Sequence, residues 1–222
     1  MKLSIVVPAL DEEAGIALSL EALAPLRARG QEVIVVDGGS EDGTRDIAAA
    51  LADRVIVAPR GRARQMNAGA AAASGDALLF LHADTRLPAN ADHLIFNSLK
   101  NNPWGRFDVA IEGRSALLPL IAFFMNARSR LTGIATGDQA IFARRDAFPG
   151  FPEIALMEDV AFSKVMKRRS PPACLREKVV TSGRRWERHG VLRTMLLMWR
   201  LRLAYFLGAA PDDLARRYAK NA

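Results

Sequence analysis

The sequence predicts an α/β fold in which a mostly parallel central sheet carries helices on both faces. Three observations predict it. In the first half, short β-branched apolar runs alternate with helical patterns, as strands buried on both faces require. Three of the four early runs end in polar clusters, at 8–13, 37–44 and 82–84. In open parallel sheets, ligands bind beyond the C-terminal ends of the strands. The chain has 222 residues, 50% hydrophobic and 25% charged, an ordinary globular composition at a size that buries roughly 70% of the unfolded surface without staples.

Residues 3–7 form a continuous apolar run stopped by Pro8 and read as the first strand; 11–26 reads as a helix. The run 32–36 is the second strand and ends in Asp37-Gly38-Gly39-Ser40. A helix over 44–51 follows, with Ser40 or Asp42 as its cap. Residues 54–57 are the third strand, 62–73 an alanine-rich helix closed by Ser74-Gly75, and 77–81 the fourth strand, leading into His82-Ala83-Asp84. The second half is less regular. Strands are expected at 107–112, 138–143 and 175–181, and helices at 117–131, 160–168, 191–207 and 211–218. No repeat or low-complexity linker divides the chain, so it reads as one domain, 1–222. Residues 1–110 form a nucleotide-binding half and 111–222 a half that completes a pocket.

Composition narrows the function. The single cysteine, Cys174, excludes an intrachain disulfide and reads as a small, partly buried apolar side chain. The net charge of +7 is asymmetric: 1–110 carry 11 basic and 14 acidic residues, whereas 111–222 carry 20 and 10. The basic half suits an anionic lipid surface or a phosphorylated substrate. Zinc-finger spacing is absent, and 7% aromatic content is too low for a base-stacking platform, so nucleic acid is not expected. The N-terminus lacks the pattern of a signal peptide, and no segment reaches the ~18 apolar residues that span a bilayer. A cytoplasmic protein is expected, with peripheral contact at the inner face of a membrane left open. The helix over 191–207, with Arg193, Arg200 and Arg202 among apolar residues, either lies on a membrane or covers the sheet.

Asp37 puts a carboxylate at the end of a hydrophobic strand, where it can accept from a nucleobase N–H or a ribose hydroxyl, with Gly38, Gly39 and Gly43 leaving the backbone open to a ligand. No G-x-G-x-x-G follows the first strand and no Walker A loop is present, which disfavours dehydrogenases and P-loop enzymes. A series of segments then carries a resemblance: S-I-V-V-P-A-L-D-E-E at 4–13, V-V-D-G-G-S-E-D-G-T at 35–44, N-A-G-A-A-A-A-S-G-D at 67–76, L-L-F-L-H-A-D-T at 78–85, T-G-D-Q-A-I-F at 136–142 and M-E-D-V-A-F at 157–162. In order and spacing they resemble the family 2 glycosyltransferases of the GT-A fold, over nearly the whole chain. G-R-A-R-Q-M-N-A-G at 61–69 and the compact length resemble the small radical-SAM- and selenodomain-associated, arsenosugar-type subgroup.

The resemblance implies a nucleotide-sugar donor, usually UDP-linked, and inversion at the anomeric carbon. It places Pro8, Ala9 and Glu12 in the first donor-binding loop, Asp37 on the base with Gly38 and Ser40 beside it, and Arg64 and Asn67 facing the nucleotide. Where the family has Asp-x-Asp, this chain has His82-Ala83-Asp84. Asp84 keeps the metal-bearing position for a divalent ion, Mn²⁺ or Mg²⁺. The imidazole of His82 tilts the preference toward Mn²⁺ if it is a ligand; as the alternative, it donates to ribose or backbone. His189 is either a further metal ligand or part of a solvated basic loop. Asp159, with Glu158, matches the family's acidic pair and is the expected base; without the resemblance the two are ordinary first-turn helix residues. Asp138 and Gln139 are expected on the acceptor side, with Arg185 and Trp186 from the late basic segment. His93 is expected to be structural. A sugar nucleotidyltransferase and a non-catalytic nucleotide-sugar binding module are the rival readings.

Overall fold

The computed structural model describes residues 1–220, except for the side chain of Arg185. Its centre is an eight-stranded mixed sheet. The strands are β1 (Leu3–Ala9), β2 (Glu32–Asp37), β3 (Arg54–Val57), β4 (Ala77–Phe80), β5 (Thr85–Arg86), β6 (Trp104–Glu112), β7 (Phe142–Arg144) and β8 (Ala173–Ser182), in the spatial order β3-β2-β1-β4-β7-β6-β8-β5. The first four are parallel, with Ala9 opposite Asp37 and Asp37 opposite Val57, so their C-terminal ends share one edge. The β7 strand runs antiparallel to both β4 and β6, whereas β6 and β8 pair in parallel.

The continuous apolar runs of β1, β2 and β4 are buried because helices cover both faces. One core cluster joins α1 (Glu13–Glu21), α2 (Ala24–Ala28), α5 (Ala91–Leu99) and α6 (Leu118–Thr132) to the sheet through residues such as Leu20, Leu26, Ile95 and Ile121. The other joins α4 (Arg62–Ala72) and α7 (Glu158–Lys167) to the opposite face through Met66, Phe151 and Phe162. A third, smaller cluster lies under α9 (Val191–Phe206) and α10 (Pro211–Ala219), around Leu201 and Leu214. Gly69 explains how α4 lies so close: a Cβ there would sit 2.9 Å from Val36 and would overlap Val6.

Four expectations change. The helix expected over 11–26 is two helices, broken at Ala22–Leu23 where Pro25 opens the second. The strand expected over 138–143 begins only at Phe142, because Thr136 and Gln139 close a capping box around a 3₁₀ turn, Gly137–Gln139. Ala140 then leaves that turn with a left-handed φ of 47°. The basic segment after β8, expected as a loop, is a helix, α8 (Arg184–His189). Finally, β5 and α5 punctuate the stretch after the fourth strand. Among the described residues, no helix is long and apolar enough to cross a membrane.

Candidate active site

A cleft of about 820 Å³ opens at the C-terminal edge of the parallel strands. Its floor is Pro8 and Ala9 of β1, followed by Glu12, and the segment after β4 adds His82, Ala83 and Asp84. Arg62 and Gln65 of α4 form one wall, Glu158 and Asp159 of α7 another, and residues of α8, α9 and α10 the outer side.

The first two loops are zipped together before they reach the cleft. The N–H of Asp11 donates to Ser40 Oγ (3.0 Å), that of Glu41 to Asp11 Oδ1 (3.0 Å) and that of Glu12 to Thr44 Oγ1 (2.8 Å). Asp37 is fully buried, and its carboxylate accepts the N–H groups of Gly39 (2.9 Å) and Ser40 (3.1 Å). It thus shapes the glycine turn, in which Gly39 has φ 91°. Gln65 locks the two strand ends to α4, donating to the carbonyls of Ala9 and Val36 at 2.8 Å each. A side chain at Gly38 would press on that amide. Asp37, Gly38 and Ser40 therefore support the cleft from behind rather than line it.

Glu12 faces the segment after β4. Burial first, and then the charge of Asp84, push its carboxyl above the ordinary range, while Arg184 and His82 act in the opposite direction. Asp84 is oriented by hydroxyls: Thr85 Oγ1 lies 3.3 Å from its Oδ1 and Thr181 Oγ1 3.5 Å. His82 Nδ1 lies 3.3 Å from Asp138 Oδ1, and Nε2 is buried without a partner against Gly137. Neither ring nitrogen is turned to Asp84. Burial works to raise the Asp138 carboxyl, but the hydrogen bond and charge of His82, then Arg62 and Arg202, outweigh it and hold the group below its usual value.

On the α7 wall, Met157 adopts a left-handed φ of 71°, at a cost of about 1–2 kcal/mol. This turn aims Glu158 and Asp159 into the cleft. Asp159 accepts Gly137 N–H at Oδ2 (2.9 Å) and its own neighbour Val160 N–H at Oδ1 (2.7 Å), which fixes both oxygens. Glu158 is buried; burial and then the charge of Asp159 push its pKa up, opposed by Arg62 at 3.7 Å.

The cleft gathers Pro8, Ala9, Glu12, His82, Asp84, Asp138, Glu158, Asp159, Trp186 and His189 from the sequence reading. It leaves out Arg64 and Asn67. Arg64 lies 3.5 Å from Glu153 on the exposed side of α4. The Asn67 amide makes two 2.8 Å bonds to the backbone of Phe151, one in each direction. Gln139 is fully buried, bonded to Thr136 N–H (3.2 Å) and Asn126 (3.3 Å), and is part of the turn. The side chain of Arg185 lies outside the described residues. Arg62 and Gln65 escaped the sequence reading, although their three-residue spacing with buried Met66 and Gly69 behind them marks the inward face of α4. Arg202 and Thr194 on α9 escaped it for want of any local signal.

Among the described residues, no group of three or more His, Cys, Asp and Glu side chains is arranged to enclose a metal. The Asp84 carboxylate, oriented by two hydroxyls and lining the cleft, fits a hard cation that arrives with a diphosphate, which commonly completes such sites with phosphate oxygens. It does not fit a cation caged by the protein alone.

This strand-edge cleft, with paired acids on a following helix, is the arrangement of a nucleotide-sugar transferase fold. The chain belongs to glycosyl transferase family 2, whose family model matches residues 4–148. Among curated proteins it is similar to the PGL/p-HBAD biosynthesis glycosyltransferases of Mycobacterium bovis and Mycobacterium tuberculosis, at 37% identity over 91 residues, which is 38% of this chain and 36% of theirs. The chain thus matches little more than a third of the length of those relatives. Among solved structures, it superimposes on glucosyl-3-phosphoglycerate synthase from Mycobacterium tuberculosis in complex with Mn²⁺, UDP and glucosyl-3-phosphoglycerate, with TM-score 0.61 and 22% identity over 80% of this chain and 70% of that one. It also superimposes on S. aureus TarS 1-349 in complex with UDP, with TM-score 0.65 and 19% identity over 87% of this chain and 64% of that one. These structures share its GT-A fold.

Proposed function

We propose that the chain transfers a sugar from a nucleotide-diphosphate donor, UDP-linked, to an acceptor hydroxyl with inversion. The observation that carries this reading is that Asp84, at the end of β4, and Asp159, at the start of α7, line one cleft. Asp159 takes the proton of the acceptor hydroxyl as its oxygen attacks the anomeric carbon, and the bond from that carbon to the diphosphate breaks. The two backbone N–H bonds hold the Asp159 carboxylate in place for this step. Glu158 positions Arg62, which extends toward the cleft from the opposite wall.

On the donor side, Pro8, Ala9 and Glu12 form the floor, and Asp37, Gly38 and Ser40 maintain its shape. Asp84, with His189 on the same cleft, would hold a divalent cation, Mn²⁺ or Mg²⁺, which when bound neutralises charge on the leaving diphosphate. Asp138 and Trp186, which line the same cleft, are assigned to the acceptor in this reading. The motif at 61–69 supports placement in the radical-SAM-associated, arsenosugar-type subgroup.

Calorimetric titration with UDP, GDP, CDP and ADP, each with Mn²⁺, Mg²⁺ or chelator, tests the reading. Metal-dependent binding of UDP is expected. A folded protein that binds none of the four overturns it. Release of pyrophosphate instead of nucleoside diphosphate during turnover would assign the chain to nucleotidyl transfer, and donor binding without turnover on a broad acceptor panel to a binding module.

A further inference from the structure

The outer surface of the second half has a feature that the cleft does not use. Of the fifteen large apolar side chains exposed among the described residues, eleven lie on or at the ends of α6 and α9. On α9, Leu192, Leu196, Trp199, Leu203 and Phe206 recur at helical spacing, with Trp199 60% and Leu203 61% exposed. The opposite side of α9 is seated on the protein through the buried Thr194 and Leu201. On α6, Leu120, Phe123 and Phe124 are likewise more than half exposed, while Ile121 and Ala122 are buried.

The two helices are neighbours. Met125 of α6 and Met195 of α9 pack against the same core cluster. The Arg128 guanidinium of α6 is held down at about 10, first by burial and then by the charge of Arg202 of α9. Together the helices carry five arginines and no acidic residue. On α9, Arg193 and Arg200 are exposed seven residues apart along one edge of the apolar stripe. Exposed apolar area of this extent marks an interaction surface.

Charge selects the occupant. A second copy packed on this face by a two-fold axis would set the patch against itself, and arginines would meet arginines with no acid on either helix to receive them. An anionic bilayer satisfies both parts of the surface: acyl chains take the Leu and Phe side chains, the headgroup layer takes Trp199, and phosphates take the exposed Arg193 and Arg200, whereas Arg128 is partly buried, Arg130 is paired with Asp108 and Arg202 faces the cleft. We propose that α6 and α9 form a docking face for an anionic membrane surface, with the protein lying on the bilayer rather than crossing it. Thr194, Met198 and Arg202 of α9 line the cleft from the side of the helix turned away from the apolar stripe, so docking leaves the thickness of one helix, about 10 Å, between the site and the lipid.

The test needs no donor or acceptor and so stands apart from the catalytic reading. The purified chain is sedimented with vesicles of phosphatidylcholine alone, or with about a quarter of the lipid replaced by phosphatidylglycerol. Binding to the anionic vesicles, falling at high salt, is expected. Replacing Trp199 and Leu203 together by serine is expected to lower partitioning at least about tenfold. Arg193→Gln with Arg200→Gln costs about fivefold per charge on anionic vesicles and nothing on neutral ones. All four residues lie outside the cleft, so an unchanged thermal unfolding curve for each variant is the folding control. The proposal is overturned if the wild-type chain does not sediment with anionic vesicles, or if the serine variant binds them as well as wild type. A dimer that the serine variant dissociates, without vesicle binding, would also overturn it and assign the face to a contact between copies.

Discussion

Replacing Asp159 by Asn keeps the shape of the side chain and removes its capacity to accept a proton. Two backbone donors, Gly137 N–H and Val160 N–H, each meet a separate carboxylate oxygen. An amide offers one oxygen, so one of the two donors is left facing an NH₂ group. That loss is about 1.5–3 kcal/mol for a bond to a charged acceptor, and the first turn of α7 loses a favourable charge of about 0.3–1 kcal/mol. Relief of Glu158, which the Asp159 charge now disfavours, offsets part of both, so a net destabilisation of about 1–2 kcal/mol is expected. Loss of a base costs about 10²- to 10⁴-fold in rate, equivalent to about 2.7–5.4 kcal/mol in the barrier. The catalytic effect therefore exceeds the structural one and separates from it. At saturating donor, with a productive acceptor, nucleoside diphosphate release should fall at least about 100-fold. Donor affinity by calorimetry should stay within about threefold, since the Glu12–Asp84 side of the cleft is untouched. A variant that turns over within threefold of wild type, at unchanged affinity, would refute Asp159 as the base.

Asp84→Ala should abolish the metal dependence of nucleotide binding in the same calorimetric titration; an unchanged metal titration would move the cation elsewhere. Glu158 holds its proton more tightly in the folded chain than in the unfolded one, so its contribution to stability is present at low pH and is lost as pH rises above the ordinary carboxylate range. Glu158→Gln should therefore gain on wild type in urea unfolding as pH rises from about 4.5 to 7, and a difference that is flat or opposite in sign would contradict the burial argument. Asn67→Ala should lose about 1–3 kcal/mol in denaturant unfolding, from two broken bonds to Phe151, with nucleotide affinity preserved. A loss of affinity at unchanged stability would return Asn67 to the nucleotide.

The residues that turned out to face the cleft were legible in the sequence wherever they sat at the end of a buried strand. Ala9, Glu12, His82 and Asp84 follow runs whose apolar continuity defines parallel strands, and the fold class then places those ends on one edge. Helix-borne residues were legible only as types. The triplet Arg62, Arg64 and Asn67 all belong to α4, but a helix turns about 100° per residue, so which of them enters the cleft depends on how the helix is seated. Gly69 against Val6 and Val36, and Gln65 on the carbonyls of Ala9 and Val36, seat it with Arg62 inward. Arg64 is thereby turned outward.

By itself, then, the sequence determined the α/β class, the positions of the first four strands along the chain, the loops that carry Glu12, Asp37 and Asp84, and the acidic pair that begins α7. These depend on local periodicity and on turn residues, which act over a few positions. Only the tertiary structure decided that Asn67 answers to Phe151, 84 residues away, and that Gln139 closes a turn instead of facing a substrate. It alone also decided that α6 and α9 leave their apolar stripes uncovered. The physical reason is the same in each case. A side chain's partner is set by which distant segment the packed core brings to it, and an apolar stripe looks alike in sequence whether a sheet covers it or solvent meets it.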